Sequence, residues 1–309
     1  MPATLNFEVG VPNFIICVVQ FQKIAIIGVG LLGGSLGLAI SQRRLAASVI
    51  GHVRRSASIA ECEKLSVVDH ATRNIQRAVE NADLVIICTP ISRMRELSEE
   101  MLPALKPGAI VTDVGSVKAS VVQELDPIFA RANAHFIGSH PMAGGEKMGV
   151  SAAKADLFER AVCVVTPKPK SNPAALKSVE QFWGAVGGRV VKISPEVHDE
   201  LVSRSSHLPH VIAAELASYV LSPTHAKEQA LLCASGFRDT TRIASGSPEM
   251  WRDIAVANQK NISRVLGVFI EGLEEFRHAL DVGDSKAIEE FFEKAKQRRD
   301  AWRTRADAE

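Results

Sequence analysis

A chain of 309 residues is long enough for two domains, and its 36 basic and 35 acidic side chains leave a formal net charge of only +1. That balance excludes an electrostatic nucleic-acid binder and a polybasic membrane anchor. Five scattered cysteines (Cys17, Cys62, Cys88, Cys163, Cys233), with no CxxC pair, exclude a disulfide framework or zinc knuckle and fit a reducing cytosol.

Near the N-terminus, Phe14 to Val19 (FIICVV) is apolar, but only Glu8 is charged before it. The run is far shorter than the roughly 20 residues that span a bilayer. It reads as a buried strand or an irregular extension, with no targeting segment.

Short β-branched runs then alternate with helical stretches. Lys23–Ile27 is a predicted strand, followed by a glycine-rich turn and an apolar helix around Ser35–Ile40. Further strands are predicted at Ser48–Val53, Leu84–Cys88, Ala109–Asp113, Ala134–Gly138 and Ala161–Thr166, with a second helix including Ile59–Leu65. This rhythm predicts an α/β fold, a doubly wound parallel Rossmann sheet. A loop follows at Pro167–Pro173, then one helix and a short strand at Arg189–Ile193. From about Pro195 strand-like runs vanish, and long helical patterns cover Trp251–Leu280 and Ser285–Arg305. The expected division is a dinucleotide-binding domain over residues 1–194 and an all-helical substrate and dimerisation domain over residues 195–309.

Gly28-x-Gly30-x-x-Gly33, with Leu31 and Leu32 inside it, follows a predicted strand and opens a predicted helix. The glycines allow a tight turn, close approach of a pyrophosphate and close helix–strand packing. The helix N-terminus then attracts the anion. At the end of the second strand stands Arg54-Arg55-Ser56, with no carboxylate to bind a ribose 2′-OH. Two arginines and a serine suit a 2′-phosphate, so NADP is favoured over NAD; the alternative is that the arginines are only solvated charges. Thr89-Pro90, closing another strand, would pass beneath the cofactor.

Two further segments are unusual: GSHPMAGGEKMG over Gly138–Gly149, directly after a strand, and SSHLPH over Ser205–His210. Together with DVGSVK over Asp113–Lys118, His198-Asp199, and GFRDTTR over Gly236–Arg242, they occur in the order found in prephenate and arogenate dehydrogenases. The sequence resembles that family over nearly its whole length. The resemblance implies hydride transfer from a ring carbinol to a nicotinamide with loss of the ring carboxylate, on the route to tyrosine. Histidine suits removal of the hydroxyl proton because its pKa lies near the working pH. His140 matches the family's base, and Ser116 the serine that hydrogen-bonds it near the nicotinamide; a plain helix N-cap is the other reading of Ser116.

By the same resemblance, His210 and Arg242 bind substrate, and a guanidinium can grip a carboxylate through two bonds. His207, three residues before His210, shares its helix face and joins the candidate substrate site. Without an accompanying His-Glu-x-x-His pattern, no metal is expected there. Glu146, Asp239 and Arg242 match a charged group around the pocket mouth, with an ordinary Asp239–Arg242 surface pair as the alternative. Asp199 lies about 16 Å from His210 if the intervening helix is straight, so a direct pair requires a bend or a second subunit. Pro209 should kink that helix and free the Ser205 carbonyl.

The competing enzyme reading is a β-hydroxyacid dehydrogenase, whose catalytic lysine finds no convincing match. A competing class is an NADP sensor that has lost its chemistry. The expected partners are a small-molecule substrate and a second copy of the chain, and the expected location is the cytoplasm.

Overall fold

The computed structural model describes residues 21–145, 147–222, 224 and 226–306. The apolar N-terminal run and Glu146 lie outside the described residues. The sheet is built around β1 (Phe21–Ile27) and β4 (Leu84–Ile87), where apolar residues follow one another without alternation. Ile24 to Ile27 and Leu84 to Ile87 are all fully buried, as expected of central parallel strands covered on both faces. Alternate side chains feed two cores. Ile24, Ile26, Leu84 and Ile86 pack with Leu36, Phe182 and Trp183. Ala25, Ile27, Val85 and Ile87 pack with Met94, Leu125 and Phe129 on the other face. Burying each large aliphatic contributes about 1.5–3 kcal/mol, so the middle of the sheet is a rigid base for whatever its strand ends carry.

The remaining strands are β2 (Ala46–His52), β3 (His70–Thr72), β5 (Ile110–Asp113), β6 (His135–Pro141), β7 (Val162–Thr166) and β8 (Arg189–Lys192), in the sheet order β3-β2-β1-β4-β5-β6-β7-β8. Helices α1 (Leu31–Arg43), α2 (Ser56–Lys64), α3 (Ile75–Val79), α4 (Ile91–Met101), α5 (Ala119–Ala130) and α6 (Pro173–Ala185) make the connections. The strand order reverses between β1 and β4, which opens a crevice at their carboxyl ends.

The sheet departs from the sequence reading in two places. β7 runs antiparallel to β6, with His140 opposite Val164. A parallel pair needs a long crossover, whereas the described part of the β6–β7 connection holds only a short 3-10 turn, Val150–Ala152. The three-residue β3 pairs with β2 and is too short to leave a periodic signal.

Every described element from Pro195 onward is helical: α7 (Pro195–Val202), α8 (Leu208–Val220), α9 (Ala226–Leu232), α10 (Ser235–Thr241), α11 (Pro248–Ala257), α12 (Gln259–Asp281) and α13 (Ser285–Ala306). The kink expected near Pro209 takes the form of a π-helical turn, Ser203–His207, and Pro209 falls in the first turn of α8, where its missing N–H costs little. The long pattern Trp251–Leu280 is broken at Asn258, which leaves helical dihedrals (φ −116°, ψ 27°).

The described residues up to Asn258 form one compact unit, and those from Gln259 form another. The second is a hairpin of α12 and α13, closed by Phe276 against Phe291 and Phe292 at centroid distances of 4.6 and 5.7 Å. Among the described residues no helix is long and apolar enough to cross a membrane.

Candidate active site

The crevice has a nucleotide end. Gly28 leaves β1 with φ +101°, and a Cβ there would lie 2.7 Å from the Cys88 carbonyl oxygen. A Cβ on Gly33 would lie 2.1 Å from the Gly28 oxygen, so both positions exclude side chains. Gly30, in contrast, faces open space and caps α1 without any side-chain hydrogen bond. Unpaired N–H groups therefore point outward from a helix start that carries no acidic residue. Leu31 and Leu32 form the first turn of α1. Thr89 Oγ1, at the end of β4, is buried without a hydrogen-bond partner among the described residues, and Pro90 caps α4. A tight glycine cradle, free helix N–H groups and an orphaned hydroxyl fit a dinucleotide pyrophosphate. At the outer edge Arg54, Arg55 and Ser56 are exposed. Arg73 joins them from the end of β3, with Nη1 donating to Ser56 Oγ at 3.3 Å. Arg73 went unnoticed in the sequence because β3 did.

At the same end of the sheet, β6 delivers His140, 8% exposed. Its Nδ1 lies 2.9 Å from His198 Nε2, and His198 Nδ1 lies 2.7 Å from Asp199 Oδ1. The carboxylate fixes the tautomers. A carboxylate only accepts, so His198 donates through Nδ1 and presents the Nε2 lone pair; His140 donates to it through Nδ1 and keeps its own Nε2 lone pair free. Asp199 in turn accepts from the backbone N–H groups of Lys118 (2.7 Å) and Ala119 (2.9 Å), thereby capping α5.

Beneath the histidines runs a second buried layer. Lys118 and Asp113, both 0% exposed, form an ion pair, and Lys118 Nζ also donates to the Ser139 carbonyl at 2.9 Å. Asp113 accepts from the N–H groups of Ser139 (3.1 Å) and Gly115 (2.8 Å). Burial lowers the Lys118 pKa, and the Asp113 carboxylate opposes the drop. Burial also holds the His140 imidazole well below the usual histidine range, with His198, Lys118 and His207 adding to the effect. His140 is thus a neutral base at neutral pH.

Ser116 does not cap α5, whose first N–H groups go to Asp199. Among the described residues no hydrogen bond joins Ser116 to His140, whose Nδ1 is engaged by His198 instead. His207, expected at the substrate site, sits deep among side chains. It is 1% exposed, its Nδ1 accepts from Asn258 Nδ2 at 3.1 Å, and it stands edge-on to Trp251. Burial pulls its pKa down to about 4. Asn258 also donates to the Asp199 carbonyl at 2.9 Å, tying these layers together.

His210 stacks on Trp251 with centroids 3.8 Å apart, and its Nδ1 donates to the Ser206 carbonyl at 2.9 Å. That carbonyl, rather than Ser205's, is the one the side chain satisfies. Burial lowers the His210 pKa, and the charge of exposed Arg242 lowers it further. Asp199 pairs with His198 rather than His210, so no second subunit is needed to satisfy it. The sequence reading passed over His198 as a working residue; its adjacency to Asp199 within a shared motif was the available signal.

Residues 36–192 match the nucleotide-binding domain of prephenate dehydrogenase, and residues 194–297 match its dimerization domain. A cyclohexadienyl dehydrogenase from Zymomonas mobilis is 34% identical over 93% of this chain and 98% of its own length. A prephenate dehydrogenase from Bacillus subtilis is 35% identical over 90% of this chain and 76% of its own. The crystal structure of prephenate dehydrogenase from Aquifex aeolicus, in complex with hydroxyphenyl propionate and NAD+, aligns with a TM-score of 0.83 at 31% identity, covering 91% of this chain and 98% of that one. A glycine cradle and a neutral buried histidine at one end of the sheet, the histidine inside a chain whose residues 36–297 are matched almost throughout, lead to one assignment: the chain belongs to the prephenate dehydrogenase family.

Proposed function

We propose that this protein oxidises and decarboxylates prephenate, arogenate or both, giving 4-hydroxyphenylpyruvate or tyrosine, with His140 as the base. The observation that carries this reading is the free Nε2 of a neutral His140 at the nucleotide end of the sheet. A bound nicotinamide supplies the hydride acceptor. His140 Nε2 takes the hydroxyl proton as the carbinol becomes a carbonyl, and the ring carboxylate leaves as CO2. Ser116 lies on the loop between β5 and α5 and lines the nicotinamide end of the crevice.

Arg242 holds a substrate carboxylate. The side-chain carboxylate suits it best, because gripping the ring carboxylate would stabilise the group that must leave. His210, neutral and donating through Nδ1, offers its Nε2 as an acceptor at neutral pH, so it complements Arg242 rather than duplicating it. Asp239 joins Arg242 in the charged group at the pocket mouth. Arg54, Arg55 and Ser56, with Arg73 beside them, favour NADP over NAD through charge-assisted bonds to a 2′-phosphate. Residues 1–194 act as the dinucleotide domain. Residues 195–309 carry the substrate groups and, through apolar exposed positions such as Val268 and Leu273, a homodimer contact.

The β-hydroxyacid alternative would need a working lysine. Lys118, the lysine beside His140, is fully buried and engaged by Asp113 and Ser139. A rate matrix of prephenate and arogenate against NAD+ and NADP+ tests the proposal. Turnover of 3-hydroxyisobutyrate with neither cyclohexadiene acid consumed would refute it.

A further inference from the structure

His198 has both ring nitrogens engaged, one by His140 and one by the Asp199 carboxylate. A carboxylate placed directly behind His140 would fix its tautomer equally well, as in an Asp–His dyad. An interposed imidazole adds a different capability, because it can accept a proton and hold it. The surroundings of the two rings differ in the relevant way. His140 faces His198, Lys118 and His207, none of them anionic. His198 faces Asp199 and Asp113 as well as Lys118, two carboxylates against one ammonium. A positive charge is therefore better placed on the inner ring than on the outer one.

We propose that His198 is a proton-relay residue on which the substrate's proton comes to rest. The inference depends on His140 being the base. As the substrate O–H bond breaks, its proton bonds to His140 Nε2, and the hydride departs with its electron pair to the nicotinamide. The Nδ1–H bond of His140 breaks in concert, and that proton bonds to His198 Nε2 across the 2.9 Å contact. His140 ends neutral with its proton on Nε2, and His198 ends as an imidazolium against Asp199. Loss of CO2 leaves its electron pair on the former carbonyl oxygen as a phenolate, and the same two transfers in reverse return the proton to that oxygen, so both rings are reset and no net proton is released. Asp199 positions His198 and is itself held by α5, so His198 and not Asp199 is the residue to vary.

His198→Gln separates relay from bracing, because a glutamine oxygen can still accept from His140 Nδ1–H but cannot take up a proton. Steady-state kinetics with prephenate and NADP+ across pH 4.5–9 should show an unchanged KM. The plateau of kcat should fall roughly 10²-fold, and the acid limb of kcat/KM should move to lower pH, since His140 alone is the weaker base. A His198→Gln enzyme with wild-type plateau and limb, while His140→Asn is inactive, overturns the relay and leaves the base intact. Full activity in His140→Asn overturns the base itself. A second measurement uses the unaltered protein: 15N NMR of the histidine rings during acidification should show His198 becoming an imidazolium before His140. The reverse order overturns the relay.

Discussion

The two ends of the crevice are built in opposite ways. Around His140, the groups Asp113, Lys118, His198, Asp199, His207 and Asn258 are almost entirely buried, and most of them hydrogen-bond to at least two others or to nearby backbone. At the nucleotide edge Arg54, Arg55, Ser56 and Arg73 are exposed, with Arg73 donating to Ser56 at 3.3 Å. A buried polar network has little tolerance, because losing one member strands the others without water. An exposed cluster of arginines can change with little cost to the fold. On the proposed function, chemistry is thus fixed where substitution is expensive, and cofactor choice sits where it is cheap.

Perturbing the deepest layer should have the largest effect. Lys118→Met leaves the Asp113 carboxylate buried and unpaired, and should cost about 3–5 kcal/mol in urea unfolding. A loss under 1 kcal/mol would mean that water reaches the pair and that the two ends differ less than described.

Next comes the pH dependence of stability. His207 has a folded pKa of about 4 against about 6.5 in an unfolded chain. Between those values the unfolded state binds the extra proton. The His207 contribution is therefore complete above pH 6.5, declines as pH falls through the window and is gone below about 4, worth roughly 3 kcal/mol in all. The wild type minus His207→Gln difference in unfolding free energy, followed from pH 7.5 to 4, should show this slope; a flat difference would contradict it.

The exposed edge should respond least. Arg54→Ala with Arg55→Ala should raise the KM for NADP+ about tenfold, leave that for NAD+ nearly unchanged, and shift stability by less than about 0.5 kcal/mol. Equal losses with both cofactors would remove the 2′-phosphate assignment and sharpen the view of these arginines as plain surface charge.

The sequence exposes the parts of this molecule that are local. Continuous apolar runs in β1 and β4 and the Gly28–Gly33 turn are legible because strand, turn and helix start lie within a few residues of one another. His140 is legible from its motif. What it leans on is not: His198 is 58 residues away, and Asp199 caps α5 from 81 residues away. A tertiary contact of that span leaves no spacing to read. The reversal of β7 and the break at Asn258 were hidden for a related reason. One depends on a missing crossover helix, the other on side-chain bonds to Asp199 and His207, and neither changes the hydrophobic period.

The most direct test of the central claim compares His140→Asn with the wild type in two assays on the same preparations: equilibrium binding of NADP+ and of the inert analogue hydroxyphenyl propionate, and turnover of prephenate at saturating cofactor. The account predicts unchanged binding and a kcat lower by roughly 10²–10⁴-fold. Turnover within a few-fold of wild type, with binding equally intact, would contradict it.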